Sequence, residues 1–190
     1  MPTFDLRGIM IAEYVNTNGT ISYTGAQSIG DAMNVNIDLR FAEGRVYAES
    51  SLAEYIRKAT GGTISIGVKY IPAQAQLTLF GSREKTRTIN QKTVKSLVTG
   101  AKSDGKYVGS AFYAPDMIDG AEKFTCVKIA RSKFGQPAMA FRTTGENIQF
   151  NTPTTTGEFM ADHSTDQDMI EVAICDEEET AKAWVSEVLK

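Results

Sequence analysis

The clearest pattern along the chain has period two. Met33, Val35, Ile37 and Leu39 alternate with Asn34, Asn36, Asp38 and Arg40, which puts apolar side chains on one face of a strand and polar ones on the other. Glu43-Gly44 gives a turn signal before Arg45-Val46-Tyr47-Ala48-Glu49, so residues 33–49 are predicted to form a hairpin. Runs rich in β-branched and aromatic residues predict further strands at 63–70, 93–98, 107–113, 124–130, 138–142, 147–150, 157–161 and 168–174. Turns at Ser103-Asp104-Gly105, Asp119-Gly120 and Thr144-Gly145 separate them, a spacing that suggests an antiparallel sandwich or barrel.

Helical spacing interrupts this pattern. Pro72 at a first helical position, the run Ala73 to Phe80 and Gly81 as a stop predict a short helix. Near the end of the chain Asp176 is a candidate N-cap with Glu179 three residues on, and Ala181, Trp184, Val185, Val188 and Leu189 form an apolar stripe. That stripe needs a sheet to cover, and it places Trp184 in its buried middle. The acidic run Asp176 to Glu179 has a local explanation, since carboxylates favour the positive end of a helix dipole. A third segment is two-sided: Ser51-Leu52-Ala53-Glu54 resembles a capping box, and Leu52, Tyr55, Ile56 and Ala59 have helical spacing before Gly61-Gly62. The predicted fold is mainly β with two helices (α+β), in one domain spanning residues 1–190.

Composition narrows the classes. A chain of 190 residues with 42% hydrophobic and 23% charged positions belongs with folded globular proteins. Its net charge of −3 gives no general attraction to nucleic acid. The apolar stretch around Gly8 to Val15 is far shorter than the roughly 20 residues of a membrane helix, so no membrane anchor is expected. Met1 to Asp5 lacks the basic region and apolar run of a secretory signal, which points to the cytoplasm. Cys126 and Cys175 sit in apolar alternating runs and read as small core residues kept as thiols.

Candidate chemistry is sparse. His163 is the only histidine and lies in the polar stretch 161–166, so it reads as part of a solvated loop. One His and two Cys on separate segments lack the close spacing of a zinc site. No Gly-x-Ser-x-Gly elbow, P-loop or Gly-x-Gly-x-x-Gly turn occurs, so no catalytic residue, metal or cofactor is assigned. A basic stretch runs through Arg83, Lys85, Arg87, Lys92, Lys95, Lys102 and Lys106; it reads as a solvated face, or as a surface that meets the acidic helix start of another copy.

The order of these elements resembles the major tail protein (tail tube protein) family of siphophages. The resemblance rests on the alternating strand 32–41 running into Arg45-Val46-Tyr47-Ala48-Glu49, then Thr60-Gly61-Gly62-Thr63-Ile64-Ser65-Ile66-Gly67-Val68, the helix at Pro72, and the later runs 105–109, 146–154 and 157–160. It spans about residues 8 to 189 and lies in the order of the patterns, not in a single motif. It implies a β-sandwich or barrel subunit whose copies form hexameric rings that stack into a tube, with no enzymatic activity. The implied partners are the chain itself, the tape measure protein and other tail proteins. DNA passes without specific binding, and the implied location is the virion tail after assembly in the host cytoplasm.

The family would place an extended arm at about 39–58, against the helical reading of 52–59; the extended form is preferred, because assembly overrides short local preferences. Arg40, Phe41, Arg45, Val46, Tyr47, Glu49, Tyr55, Ile56 and Arg57 are then subunit-contact candidates, since a lone domain has little reason to expose so many large apolar groups. A conduit that must release DNA should not neutralise phosphates, so the polar strand faces bearing Asn34, Asn36, Asp38 and Ser65 are candidates for the channel lining, with Lys69 the poorest fit. The basic stretch is then expected at subunit contacts or on the outer wall. The rivals are a tube protein of a contractile or secretion-type injection system, a small-molecule-binding β-barrel and, third, an enzyme.

Overall fold

The computed structural model describes residues 5–48, 51–139, 143 and 152–190. In chain order the elements are β1 (Arg7–Thr17), β2 (Thr20–Ser28), β3 (Ala32–Ala48), β4 (Ser51–Val68), α1 (Ala73–Phe80), β5 (Arg83–Ile89), β6 (Lys92–Val98), β7 (Val108–Ile118), β8 (Ala121–Phe134), β9 (Thr154–Met160), β10 (Ile170–Cys175) and α2 (Glu178–Glu187). The expected class is observed among the described residues: mainly β, with antiparallel pairing and two helices.

The main sheet has the order β2-β1-β7-β8-β9-β4-β3, and β10 also pairs with β8. β8 is where the sheet divides. Its residues Phe124 to Ile129 pair with β10, and Arg131 to Phe134 pair with β9. The two ends of the sheet meet in one core: Ile9 and Ile11 of β1, Phe112 of β7 and Ile129 of β8 share a cluster with Ile64, Ile66 and Val68 of β4. The sheet therefore curls over its own inner face, and Ala75, Leu79 and Phe80 of α1 pack into the same cluster. Each fully buried aliphatic side chain here contributes about 1.5–3 kcal/mol.

Alternation on β7 builds a second core on the other face. Val108 and Phe112 face the first cluster, whereas Ala111 and Tyr113 face a second one with Phe124, Cys126, Ala181, Val185 and Leu189. α1 and α2 thus cover opposite faces of the β1–β7–β8 layer.

The hairpin turns follow local backbone chemistry. Asp119 and Gly120 join β7 to β8 with φ of 52° and 78°, and Asn90 and Gln91 join β5 to β6 with φ of 50° and 62°, as two-residue type I′ turns require. Gly81 ends α1 in the left-handed conformation, φ 61° and ψ 24°.

Several expectations are corrected. Glu43-Gly44 is not a turn: β3 continues through it to Ala48, and β4 starts at Ser51, because an exposed two-stranded segment needs no apolar alternation to persist. Residues 52–59 are strand, the extended form preferred over the helical spacing. Pro72 is the N-cap of α1, not its first helical residue, since its ψ of 149° is extended. Glu177, not Asp176, occupies the N-cap position of α2, without a side-chain capping bond, and Asp176 accepts a hydrogen bond from Lys123 at 2.8 Å instead. Trp184 is only half-buried, at the edge of the helix stripe, while Ala181, Val185 and Leu189 are buried. Strands β1, β2 and β5 lie outside the runs that predict strands. Ala138 and Met139 are irregular; the rest of the expected strand 138–142, the strand 147–150 and the Thr144-Gly145 turn lie outside the described residues.

Candidate functional site

Two neighbouring surfaces carry the candidate residues, and both grow from the β3–β4 hairpin. β4 pairs with β9 only over Gly62 to Gly67, whereas its pairing with β3 runs on to Ser51. Beyond Arg40 and Thr60 the two strands therefore leave the sheet and project as a two-stranded arm. A bulge at Thr60 marks the root, where the Thr60 hydroxyl donates to Arg40 O (3.3 Å) and Arg40 reaches Gly62 O (3.4 Å) and Glu158 (3.1 Å). Gly62 is required here: a Cβ would lie 2.1 Å from Asp38 O and 2.5 Å from the Phe159 ring.

Register sorts the arm into two faces. Phe41, Glu43 and Arg45 stand opposite Ala59, Arg57 and Tyr55, and these side chains form a ladder. Arg57 lies over the Phe41 ring at 3.8 Å and Arg45 over Tyr55 at 5.4 Å, while Glu43 bridges both cations at 3.4 and 3.5 Å. A hydrogen bond to Glu43 is the main reason the Tyr55 hydroxyl is held above its ordinary pKa, with desolvation second. The other face carries Ala42, Gly44 and Val46 against Lys58, Ile56 and Glu54. Val46, Tyr47 and Ile56 are 57%, 64% and 56% exposed, a large apolar area for a surface that meets only water.

The second surface is the outer face of β3–β4–β9. Asn36 pairs with Ser65, which pairs with Thr156; Asp38 pairs with Thr63, which pairs with Glu158; Asn34 pairs with Gly67, which pairs with Thr154. Directly opposed residues share a face, so amides, hydroxyls and two carboxylates form one continuous polar field. Thr156 donates to Ser65 Oγ at 3.5 Å. The same strands send Val35, Ile37, Ile64, Ile66 and Phe159 into the core. At the rim, Arg40 faces Glu158 at 3.1 Å and Lys133 faces Asp104 at 2.7 Å, so these two cations are paired.

Asn34, Asn36, Asp38 and Ser65 are thus brought together. The arm candidates are not: Phe41, Arg45, Tyr55 and Arg57 occupy one face, Val46 and Ile56 the other, Arg40 the root, and Glu49 lies outside the described residues. Lys69 stands apart with Asp31 at 3.9 Å. Glu43, which organises the ladder, carries only a turn signal in the sequence, and Thr63, Thr154, Thr156 and Glu158 are not among the sequence candidates. Thr63 follows from Ser65 by alternation, whereas only the pairing of β4 with β9 brings in Thr154, Thr156 and Glu158.

The chemistry-bearing residues are otherwise engaged. His163 is more than a solvated loop residue: its Nδ1 meets the Tyr14 hydroxyl at 3.0 Å and its Nε2 meets Arg131 at 3.3 Å, which ties the 161–168 loop to the sheet. Ser164 Oγ donates to Asp162 instead, at 2.5 Å. Cys126 and Cys175 are buried free thiols with sulfurs 3.7 Å apart, and burial pushes the Cys126 thiol up to about 12. Among the described residues no group of three His, Cys, Asp or Glu is placed to hold a metal ion, and no helix is long and apolar enough to cross a membrane.

In comparisons with known proteins, no protein-family model and no curated protein matches this chain.

Proposed function

We propose that the chain is a structural virion protein, the major tail tube subunit of a long non-contractile phage tail. In this reading its copies close into hexameric rings that stack into a conduit for the genome. The observation that carries the reading is the arm: two strands extend past the sheet, hold no core, and expose Phe41, Val46, Tyr47, Tyr55 and Ile56. An isolated two-stranded segment is marginal in water and gains stability by lying on another surface. In a self-assembling subunit that surface is a neighbouring copy.

The polar field on β3–β4–β9 suits the channel side of such a tube. Amides and hydroxyls with paired charges give phosphates no array of free cations to release counterions from, so DNA slides without being held. A small-molecule barrel is supported less, because the space under the curled sheet is filled by Ile, Val, Leu and Phe side chains. The partners in this reading are other copies of the chain, the tape measure protein and neighbouring tail proteins, with the host cytoplasm as the place of assembly and no catalytic role.

Shortening the arm tests it. Replacing residues 43–57 by Asn-Gly, which closes Ala42 and Lys58 into a tight hairpin, should leave a folded subunit that forms no tubes. Normal tubes from that variant, seen by electron microscopy, would refute the arm's role.

A further inference from the structure

The β5–β6 ribbon is the other element without a partner. Its strands pair only with each other, in a two-stranded sheet separate from the main one. Ser82 and Thr99, whose hydroxyls are 2.9 Å apart, close its base, and Gln136 ties that base to the body by donating to Thr99 Oγ1 at 3.2 Å. Beyond that base most of the ribbon is exposed.

Register makes it two-faced. Arg83, Lys85, Arg87 and Ile89 stand opposite Val98, Ser96, Val94 and Lys92, so one face combines cations with apolar residues and carries no carboxylate. Glu84 lies on the other face, paired with Lys95 at 2.9 Å. Arg83, Lys85, Arg87 and Lys92 form no ion pair among the described residues, and Ile89 and Val94 are 54% and 43% exposed. A ribbon that only needed solubility would have no use for these two.

The complementary surface lies on the same molecule. β10 pairs with β8 along one side only, and Val172 and Ile174, which the register places on the face of Val127 and Thr125, are 58% and 49% exposed. Asp176, which Lys123 meets at 2.8 Å, follows in the same alternation, and Glu177 and Glu179, the latter 3.9 Å from Lys182, continue the acidic strip at the start of α2. No ion pair among the described residues joins this strip to the ribbon of its own chain.

We propose that the basic face of the β5–β6 ribbon seats on the β10–α2 acidic strip of a second copy of this chain, with Ile89 and Val94 against Val172 and Ile174. The contact is head-to-tail, so its repetition closes a ring or extends a filament. It rests on the self-assembly reading and adds which surfaces meet. Apolar residues interleaved with the cations favour a protein partner over nucleic acid, whose backbone needs charge alone.

Charge reversal tests this. Arg87→Glu with Lys92→Glu should raise the critical concentration for assembly by at least about tenfold, and so should Glu177→Lys with Glu179→Lys. All four changes in one chain should bring it back to near that of the unaltered chain. Melting temperatures of the ribbon variants should not move, because those side chains are exposed. Unchanged assembly in the ribbon variant, or no recovery in the combined one, would overturn the contact. A ribbon variant that assembles normally but loses salt-sensitive binding of short duplex DNA would assign the ribbon to nucleic acid. Failure of the unaltered chain to associate at any concentration is a separate result: it removes the self-assembly reading, and this contact with it.

Discussion

The Arg57 guanidinium stands 3.8 Å over the centre of the Phe41 ring from the opposite strand of the arm, and Glu43 holds it there from 3.4 Å. These three side chains give a two-stranded projection a defined surface without a core. Glu43→Gln removes the bridge between Arg45 and Arg57. Melting of the folded subunit should stay unchanged, because exposed ion pairs contribute little to stability. Assembly should weaken, and the Tyr55 ionisation followed at 295 nm should fall back toward the ordinary tyrosine range. Unchanged assembly would show that the ladder does not shape the contact.

Glycines at two points of the same hairpin should respond in opposite ways. Gly62→Ala forces a methyl into Asp38 O and the Phe159 ring, so urea denaturation should show a loss of about 1–3 kcal/mol. Gly44 has open space around its Cβ position and lies mid-strand, so Gly44→Ala should be neutral or slightly stabilising. Equal effects at the two positions would contradict the arm root described here.

In α2 and the turn that follows it, the smaller apolar residue should matter more than the larger. Leu189 is 1% exposed, so Leu189→Ala should cost about 2–5 kcal/mol. Trp184→Ala should cost less, because the ring is only half-buried, and Trp184 emission should fall between that of buried and fully hydrated indole. The reverse order in thermal or urea melts would show that the stripe docks differently.

Alkaline pH should unfold the protein. Burial raises Tyr23 well above 10, raises Tyr113 to about 12 with help from its hydrogen bond to Glu178, and raises the Cys126 thiol to about 12. Folded-state values above the unfolded ones mean that this stability is complete below about pH 9 and is lost as pH climbs toward 12. Absorbance at 295 nm should show late tyrosines ionising together with the loss of circular dichroism. Full, reversible ionisation of every tyrosine in the folded state near pH 10 would contradict their burial.

Where one face is buried, the sequence announces its structure. Val35 and Ile37 alternate because they enter the core, and Ala181, Val185 and Leu189 recur at helical spacing because α2 covers a sheet. Exposed elements carry no such signal. β5 alternates Arg and Lys with Glu and Thr, a polar-on-polar pattern, so it read as a charged stretch and not as a strand. Gly44 looked like a turn because an arm strand has no buried face to mark its continuation. The polar field was half legible: Asn34, Asn36, Asp38 and Ser65 follow from alternation, but Thr156 and Glu158 join them only through pairing of β4 with β9, nearly a hundred residues away in sequence.

Electron microscopy of the purified full-length chain over a range of concentrations tests self-assembly most directly. The expected result is hollow tubes of stacked hexameric rings, with Asn34, Asn36, Asp38 and Ser65 facing the channel and each arm lying on a neighbouring copy. A chain that stays monomeric at every concentration would contradict it, as would a tube whose channel is lined by Arg83, Lys85 and Arg87 with Asp38 and Glu158 on the outside.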